Sequence, residues 1–255
     1  MRRVVFNQKG GVGKSSITCN LAAISAASGR PTLVIDLDPQ GNSTHYLTGQ
    51  PATHLEGSLF DFFEQSLTLG GGRKSLAELV HPTPYENLHV LAAHPELESL
   101  EVKLESRYKI YKLKEALQQL TASYPEIWID TPPALNFFSR SALIAADSCL
   151  IPFDCDAFSR QALYSLQAAI DELRADHNEH LQVEGIVVNQ FNARARLPRQ
   201  LIQELVEEGH PVLPVHLGSS IKMRESHQVS SPLCHYAPGH KLTAQFRDLF
   251  ELLDD

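Results

Sequence analysis

The sequence predicts an α/β fold: a mainly parallel, twisted sheet with helices on both faces, formed as a single domain over residues 1–255. Three observations predict it. Short β-branched runs alternate with stretches of helical periodicity along the chain, the order expected of strand–helix–strand units. The first strand runs straight into a glycine-rich turn that opens a helix. Two later strands end in aspartates followed by proline, at Asp36 and Asp130, which puts carboxylates at the edge of the sheet where open α/β folds bind ligands. The 255 residues, 43% hydrophobic and 20% charged, suit one sizeable core.

Taken in order, Arg2 to Phe6 is a buried strand, and Ile17 to Ser28 a small-residue helix with Leu21 and Ile24 on one face, stopped by Gly29 and Pro31. Between them lies Lys9-Gly10-Gly11-Val12-Gly13-Lys14-Ser15-Ser16. The glycines allow positive φ and close approach of the backbone to an anion. Successive N–H groups and the helix N-terminus then face phosphates. Lys14 reaches the β- and γ-phosphates and the Ser15 hydroxyl sits on Mg²⁺. The pattern G-x-x-x-x-G-K-[ST] asks for its first glycine at position 8, which is Gln8 here, and a second lysine stands at position 9.

That departure resembles the deviant Walker A motif of the ParA/MinD family of ATPases, and the resemblance extends over nearly the whole chain. It implies that Lys9, the signature lysine of the family, reaches across a homodimer to the partner's nucleotide. Cations around the γ-phosphate favour phosphoryl transfer, so a lysine supplied in trans makes activity conditional on dimerisation. ATP and Mg²⁺ are the implied cofactors, and Lys9, Lys14 and Asp38 the implied catalytic set.

Thr32 to Asp36 is the second strand, leading into Asp36-Leu37-Asp38-Pro39-Gln40-Gly41-Asn42. By the resemblance, Asp38 orients the attacking water and Asp36 supports the Mg²⁺ shell. From His45 to Tyr85 the chain is less regular: a short helix within Gly57–Leu67, a Gly70-Gly71-Gly72 loop, and another short helix over Ser75–Val80 closed by Pro82 and Pro84. Leu88 to Ala92 reads as a strand, followed by helices over Glu96–Glu105 and Ile110–Ser123. The apolar strand ending at Asp130 has the form of a Walker B motif, whose carboxylate holds Mg²⁺, usually through water. Its Asp130-Thr131-Pro132-Pro133 ending is also similar to the ParA family.

Further on come a helix over Asn136–Ala146, a strand over Cys149–Phe153, an amphipathic helix over Phe158–Asp176 and a strand over Val183–Val188 that ends at Asn189. The family places a polar residue at this strand end against adenine, so Asn189 is the implied base contact; Pro214 completes the implied nucleotide-binding set. Arg194, Arg196 and Arg199 stand at a helix entrance, and Lys222 and Arg224 add two cations. In chromosomal ParA-type proteins, basic residues at the positions matched to Arg194 and Lys222 bind DNA without sequence preference, which suits phosphate contacts. The net charge of −8 argues against a wholly basic nucleic-acid binder and leaves room for a local patch.

The C-terminal Lys241 to Asp255 is amphipathic, with Leu242, Phe246, Leu249, Phe250 and Leu253 on one side and an acidic end. A membrane-binding helix carries Lys or Arg on its polar face, so this one is expected to pack on the sheet. No apolar run approaches the roughly 20 residues of a membrane span. The P-loop strand starts almost at Met1, the short form of ParA without an operator-reading domain. The four cysteines lack C-x-x-C spacing and read as free thiols of a reducing cytoplasm. The His177/His180 and Cys234-His235…His240 groupings give no complete zinc set.

The resemblance therefore implies a cytoplasmic, nucleoid-associated switch: ATP binding forms a sandwich dimer that binds non-specific DNA. A ParB-like or adaptor protein then stimulates hydrolysis to move or space a cargo. Two other classes share the P-loop. A MinD-like membrane switch is disfavoured by the acidic C-terminus, and a metabolic or metal-cluster carrier by the cysteine spacing.

Overall fold

The computed structural model describes residues 1–68, 74–156 and 159–254. The Gly70-Gly71-Gly72 loop, Phe158 and Asp255 lie outside the described residues. Seven strands form one sheet: β1 Arg2–Val5, β2 Thr32–Asp36, β3 Val80–Pro82, β4 Leu88–Leu91, β5 Glu126–Asp130, β6 Ser148–Asp154 and β7 Gln182–Asn189. Their order is β3-β4-β2-β5-β1-β6-β7, and every pairing is parallel except β3 with β4. Strand order reverses about β1, which lies between β5 and β6, so the crevice beyond the carboxyl ends of these three strands is the place for a ligand.

Both faces are covered, which is why the inner strands read as continuous apolar runs. On one face Val4, Leu33, Ile35, Ile127 and Ile129 pack under α3 (Leu59–Leu67), α4 (Leu97–Ser106), α5 (Lys112–Leu120), α6 (Phe137–Ala145), α7 (Ser159–His177) and α8 (Arg196–Glu207). On the other, Val5, Val34, Val90, Trp128 and Leu150 pack under α1 (Lys14–Ala27), α2 (Asn42–Thr48), α9 (Ile221–Gln228), α10 (Leu233–Tyr236) and α11 (Lys241–Asp254). The side chains alternate between faces as a pleated strand requires. The apolar stripe of α11 is buried there, Leu242, Phe246, Leu249, Phe250 and Leu253 joining Leu21 and Ala22 of α1. The expectation that this helix packs inward holds.

Three elements differ from the sequence reading. α1 starts at Lys14, three residues before Ile17, because Gly13 takes a left-handed conformation (φ 93°) and serves as its N-cap. α2 begins directly after the Asp38–Gly41 turn, at Asn42, and runs to Thr48, into the segment read as less regular from His45; Gly41 at φ 65° and Gly49 at φ 72° bound it. The Ser75–Val80 helix is a single 3₁₀ turn over Leu76–Leu79, after which β3 adds an antiparallel edge strand that includes Pro82. A missing N–H is tolerated at a sheet edge.

A buried ion network ties the start of the chain to its end. Arg3, 4% exposed, donates to Glu126 at 2.8 Å, to Glu184 at 3.1 Å and to the Leu253 carbonyl at 2.6 Å, with its guanidinium 5.2 Å from the Trp128 ring centre.

Candidate functional site

The turn after β1 is braced from three sides. Asn7 donates to the Pro152 carbonyl at 2.7 Å and its side-chain oxygen accepts from Lys9 N–H at 2.9 Å. Asn189, at the end of β7, donates to the Val12 carbonyl at 2.9 Å, and Gln190 donates to the Gly11 carbonyl at 3.0 Å. A Cβ on Gly13 would lie 2.2 Å from the Asn189 amide nitrogen, so glycine is required there for space as well as for its positive φ. No side chain caps α1, so the N–H groups of its first turn remain available to a ligand.

Lys14 is 7% exposed and its Nζ donates to the Lys9 carbonyl at 2.9 Å, closing the loop on itself. Burial lowers its pKa, while the charges of Asp130 and Asp38 pull the other way. Gly10, Gly11, Gly13, Lys14, Ser15 and Ser16 line a cleft of about 480 Å³ together with Asp38 and Pro133.

Asp38 lines this cleft, and two further carboxylates, Asp36 and Asp130, are buried at the ends of β2 and β5. Asp36 and Asp130 are register partners on β2 and β5, and both are fully buried. Asp36 accepts from the Thr44 N–H and hydroxyl, each at 2.7 Å, and from Asp38 N–H at 3.2 Å. Asp130 accepts from the Ser43 hydroxyl at 2.6 Å and from the Ser15 hydroxyl. Burial raises the pKa of both, and the Asp130 charge raises Asp36 further. Asp38 is raised by burial and held by a bond from Gln40 N–H at 3.0 Å. Two buried carboxylates side by side carry negative charge that the chain does not fully compensate. With the Ser15 hydroxyl they form a hard-oxygen donor set, which fits Mg²⁺. Among the described residues no group of three or more His, Cys, Asp and Glu side chains is placed to hold a metal ion.

Lys9 turns away from its own cleft. Its Nζ bonds Asp154 at 2.7 Å, and Asp156, both beyond the C-terminal end of β6 or at it. Burial opposes its charge, but the bonds to Asp154 and Asp156 outweigh that and raise its pKa.

A second cavity of about 390 Å³ adjoins the first and shares Gly11, Gly13, Ser16 and His227 with it; its far wall includes Asn189, Gln190, Ser219, Ser220, Met223 and Arg224. The segment expected to contribute Pro214 does so through later residues: Pro214 itself is exposed, and Gly218 to Ser220 line the cavity. Arg224, read as a surface cation, stands at this cavity's wall. Sequence reasoning missed Gln190, Met223 and His227, which no motif marks. Gln190 leaves a trace only in its neighbour, the strand-ending Asn189.

The remaining cations line neither of these two cavities. Arg194, Arg196 and Arg199 are exposed at and before the start of α8. Arg194 lines a third cleft with His240, Lys241 and the same Gly218–Ser220 segment, which links it to the head of α9. Lys222 is ion-paired to Glu225 at 2.7 Å and lies 5.6 Å from the Tyr236 ring centre.

Comparison with known proteins gives matches over most of the chain. A family model described as an AAA domain matches residues 3–183. The chromosome partitioning protein ParA of Myxococcus xanthus is 34% identical over 91% of this chain and 80% of that protein. Among solved structures, apo McdA of Cyanothece superposes with a TM-score of 0.85 at 20% identity, covering 99% of this chain and 98% of that one. The cobyrinic acid a,c-diamide synthase of Mycobacterium smegmatis, with a bound ATP analogue and magnesium, also gives 0.85 at 23% identity, covering 98% and 93%.

Proposed function

The chain belongs to the AAA-domain family and within it to the ParA type of ATPase, and from that premise we propose that it is an ATP-driven dimer switch that binds DNA without sequence preference and positions a cargo. The observation that carries this reading is one cleft lined by Lys14, the uncapped start of α1 and Asp38, with Asp36 and Asp130 buried at the ends of β2 and β5 and a second lysine, Lys9, held by Asp154 instead.

Gly10, Gly11, Val12, Gly13, Lys14, Ser15 and Ser16 would cradle the phosphates through backbone N–H groups and the Lys14 ammonium. Ser15 and Asp130, supported by Asp36, would hold Mg²⁺, which when bound neutralises phosphate charge. Asp38 would orient the attacking water. Asn189, which braces the loop, would lie beside the base, and Pro214 would take part only through the segment that follows it, Gly218 to Ser220. Lys9 would leave its aspartates for the nucleotide of the facing subunit. A lysine ammonium, with an ordinary pKa of about 10.4, carries its charge there at neutral pH.

DNA contacts would come from Arg194, Arg196 and Arg199, with Lys222 and Arg224 across the shared cleft. Arg194 and Lys241 on one cleft, with Arg196 and Arg199 exposed close by in sequence, support a local basic patch on an acidic protein. A ParB-like or adaptor protein would stimulate turnover, and the cytoplasm with its nucleoid is the implied location. Among the described residues no helix is long and apolar enough to cross a membrane, and the apolar face of α11 is already covered.

The test is a mobility shift on non-specific duplex with ATP, with ADP and without nucleotide at two salt concentrations, for wild type and Arg194→Glu. ATP-dependent, salt-sensitive binding weakened by Arg194→Glu is expected. Absence of binding in every state would remove the DNA role.

A further inference from the structure

We infer that His227 is a nucleotide-binding residue of this chain, contacting the α-phosphate through Nε2. The inference rests on the nucleotide reading above and adds to it a ligand group from α9, an element outside every motif. His227 Nε2 lies 3.0 Å from the Ser16 hydroxyl. The imidazole is stacked on Tyr46, ring centres 4.2 Å apart and planes within 1° of parallel. Tyr46 in turn bonds the Ser226 hydroxyl at 3.0 Å, and Asn20 of α1 bonds the Ser16 carbonyl at 2.8 Å and accepts from Leu233 N–H at 2.8 Å. The ring is therefore held in one orientation by α1, α2 and α9 together.

Position identifies the ligand group. The phosphate cleft and the second cavity meet at Gly11, Gly13, Ser16 and His227. Lys14 and Asp38 stand in the first, where the β- and γ-phosphates belong. Asn189, Gln190 and Ser219 stand in the second, which has room for the nucleoside. The part of a nucleotide that spans such a boundary is the α-phosphate. With its proton on Nε2, the ring donates to the Ser16 oxygen; the same N–H can be given to a phosphate oxygen by a small movement, and a bond to a charged acceptor is the stronger one. Burial keeps the imidazole neutral near pH 7, so it acts as an oriented donor.

Calorimetric titration of ADP and ATP with Mg²⁺ into wild type, His227→Phe, His227→Gln and Lys14→Ala tests this. His227→Phe keeps a ring to stack on Tyr46 and removes the donor. It is expected to weaken ADP and ATP by the same factor, roughly 10- to 100-fold, the loss of one hydrogen bond to a charged group. His227→Gln restores a donor and should recover most of the affinity, which separates the contact from the packing. Unchanged affinity in His227→Phe, or a loss confined to ATP, would overturn the α-phosphate assignment while leaving the nucleotide reading intact. Wild-type protein that binds neither nucleotide, or Lys14→Ala that binds both as well as wild type, would overturn the nucleotide reading and this inference with it.

Discussion

The Lys9 ammonium is bonded to the Asp154 carboxylate of its own chain, 2.7 Å away, and faces out of the cleft that its neighbour Lys14 occupies. The two lysines of one loop are thus divided between two directions: Lys14 bonds back onto the loop and lines the cleft, and Lys9 is held at the end of β6 near the surface. Lys9 remains 34% exposed and Asp154 25%, so the pair contributes at most about 1 kcal/mol after solvent screening, and a polyphosphate can displace it.

Lys9→Ala is expected to reduce ATP turnover by at least about 100-fold, the scale of losing one charge that stabilises the transition state. Affinity for ADP should stay within about twofold, because Lys9 does not face its own cleft. Turnover under saturating ATP and a separate ADP titration check both halves.

The Asp36–Asp130 pair makes ligand-free stability depend on pH. Both pKa values are raised by burial, so between the ordinary carboxylate value of about 3.9 and the raised values the folded state holds protons the unfolded chain has released. Their contribution to stability is therefore lost as pH rises through that window. His89, His216, His227 and His235, lowered by desolvation, act in the opposite sense. The readout is the difference between wild type and Asp130→Asn: the variant's melting temperature should gain on wild type as pH rises from about 5 to about 8. A constant difference would show that the pair does not titrate there.

Arg3→Ala should cost about 3–5 kcal/mol in urea unfolding, because it leaves Glu126 and Glu184 partly buried without their cation. Arg3→Lys should recover only part of this, since an ammonium cannot reach two carboxylates and the Leu253 carbonyl in the geometry of a guanidinium fork.

The parts of the fold legible in the sequence were those set by local signals. Strand ends at Asp36 and Asp130, the glycine turn and the apolar stripe of α11 are each written within a few consecutive residues. Boundaries set by backbone conformation were displaced: the left-handed Gly13 starts α1 at Lys14, and Gly41 starts α2 where a proline-containing turn gave no periodicity. β3 escaped notice because its three residues are an edge strand ending in proline, which only pairing with β4 makes regular. At the site, the loop and its carboxylates follow a spacing rule and could be named in advance. The Arg3 network and the His227–Tyr46 stack join residues far apart in the chain, and no local pattern records such a contact.

The central claim, an ATP-driven dimer, is tested most directly by sedimentation velocity on wild type and Asp38→Ala with Mg²⁺ and either ATP or ADP. Asp38 stands in the phosphate cleft without touching the loop's brace, so its replacement should stop hydrolysis and leave binding and dimerisation. The prediction is a stable dimer of Asp38→Ala with ATP, a monomer with ADP, and a wild-type dimer that decays as ATP is consumed. A monomer in every nucleotide state, in a protein shown to bind ATP, would contradict the account.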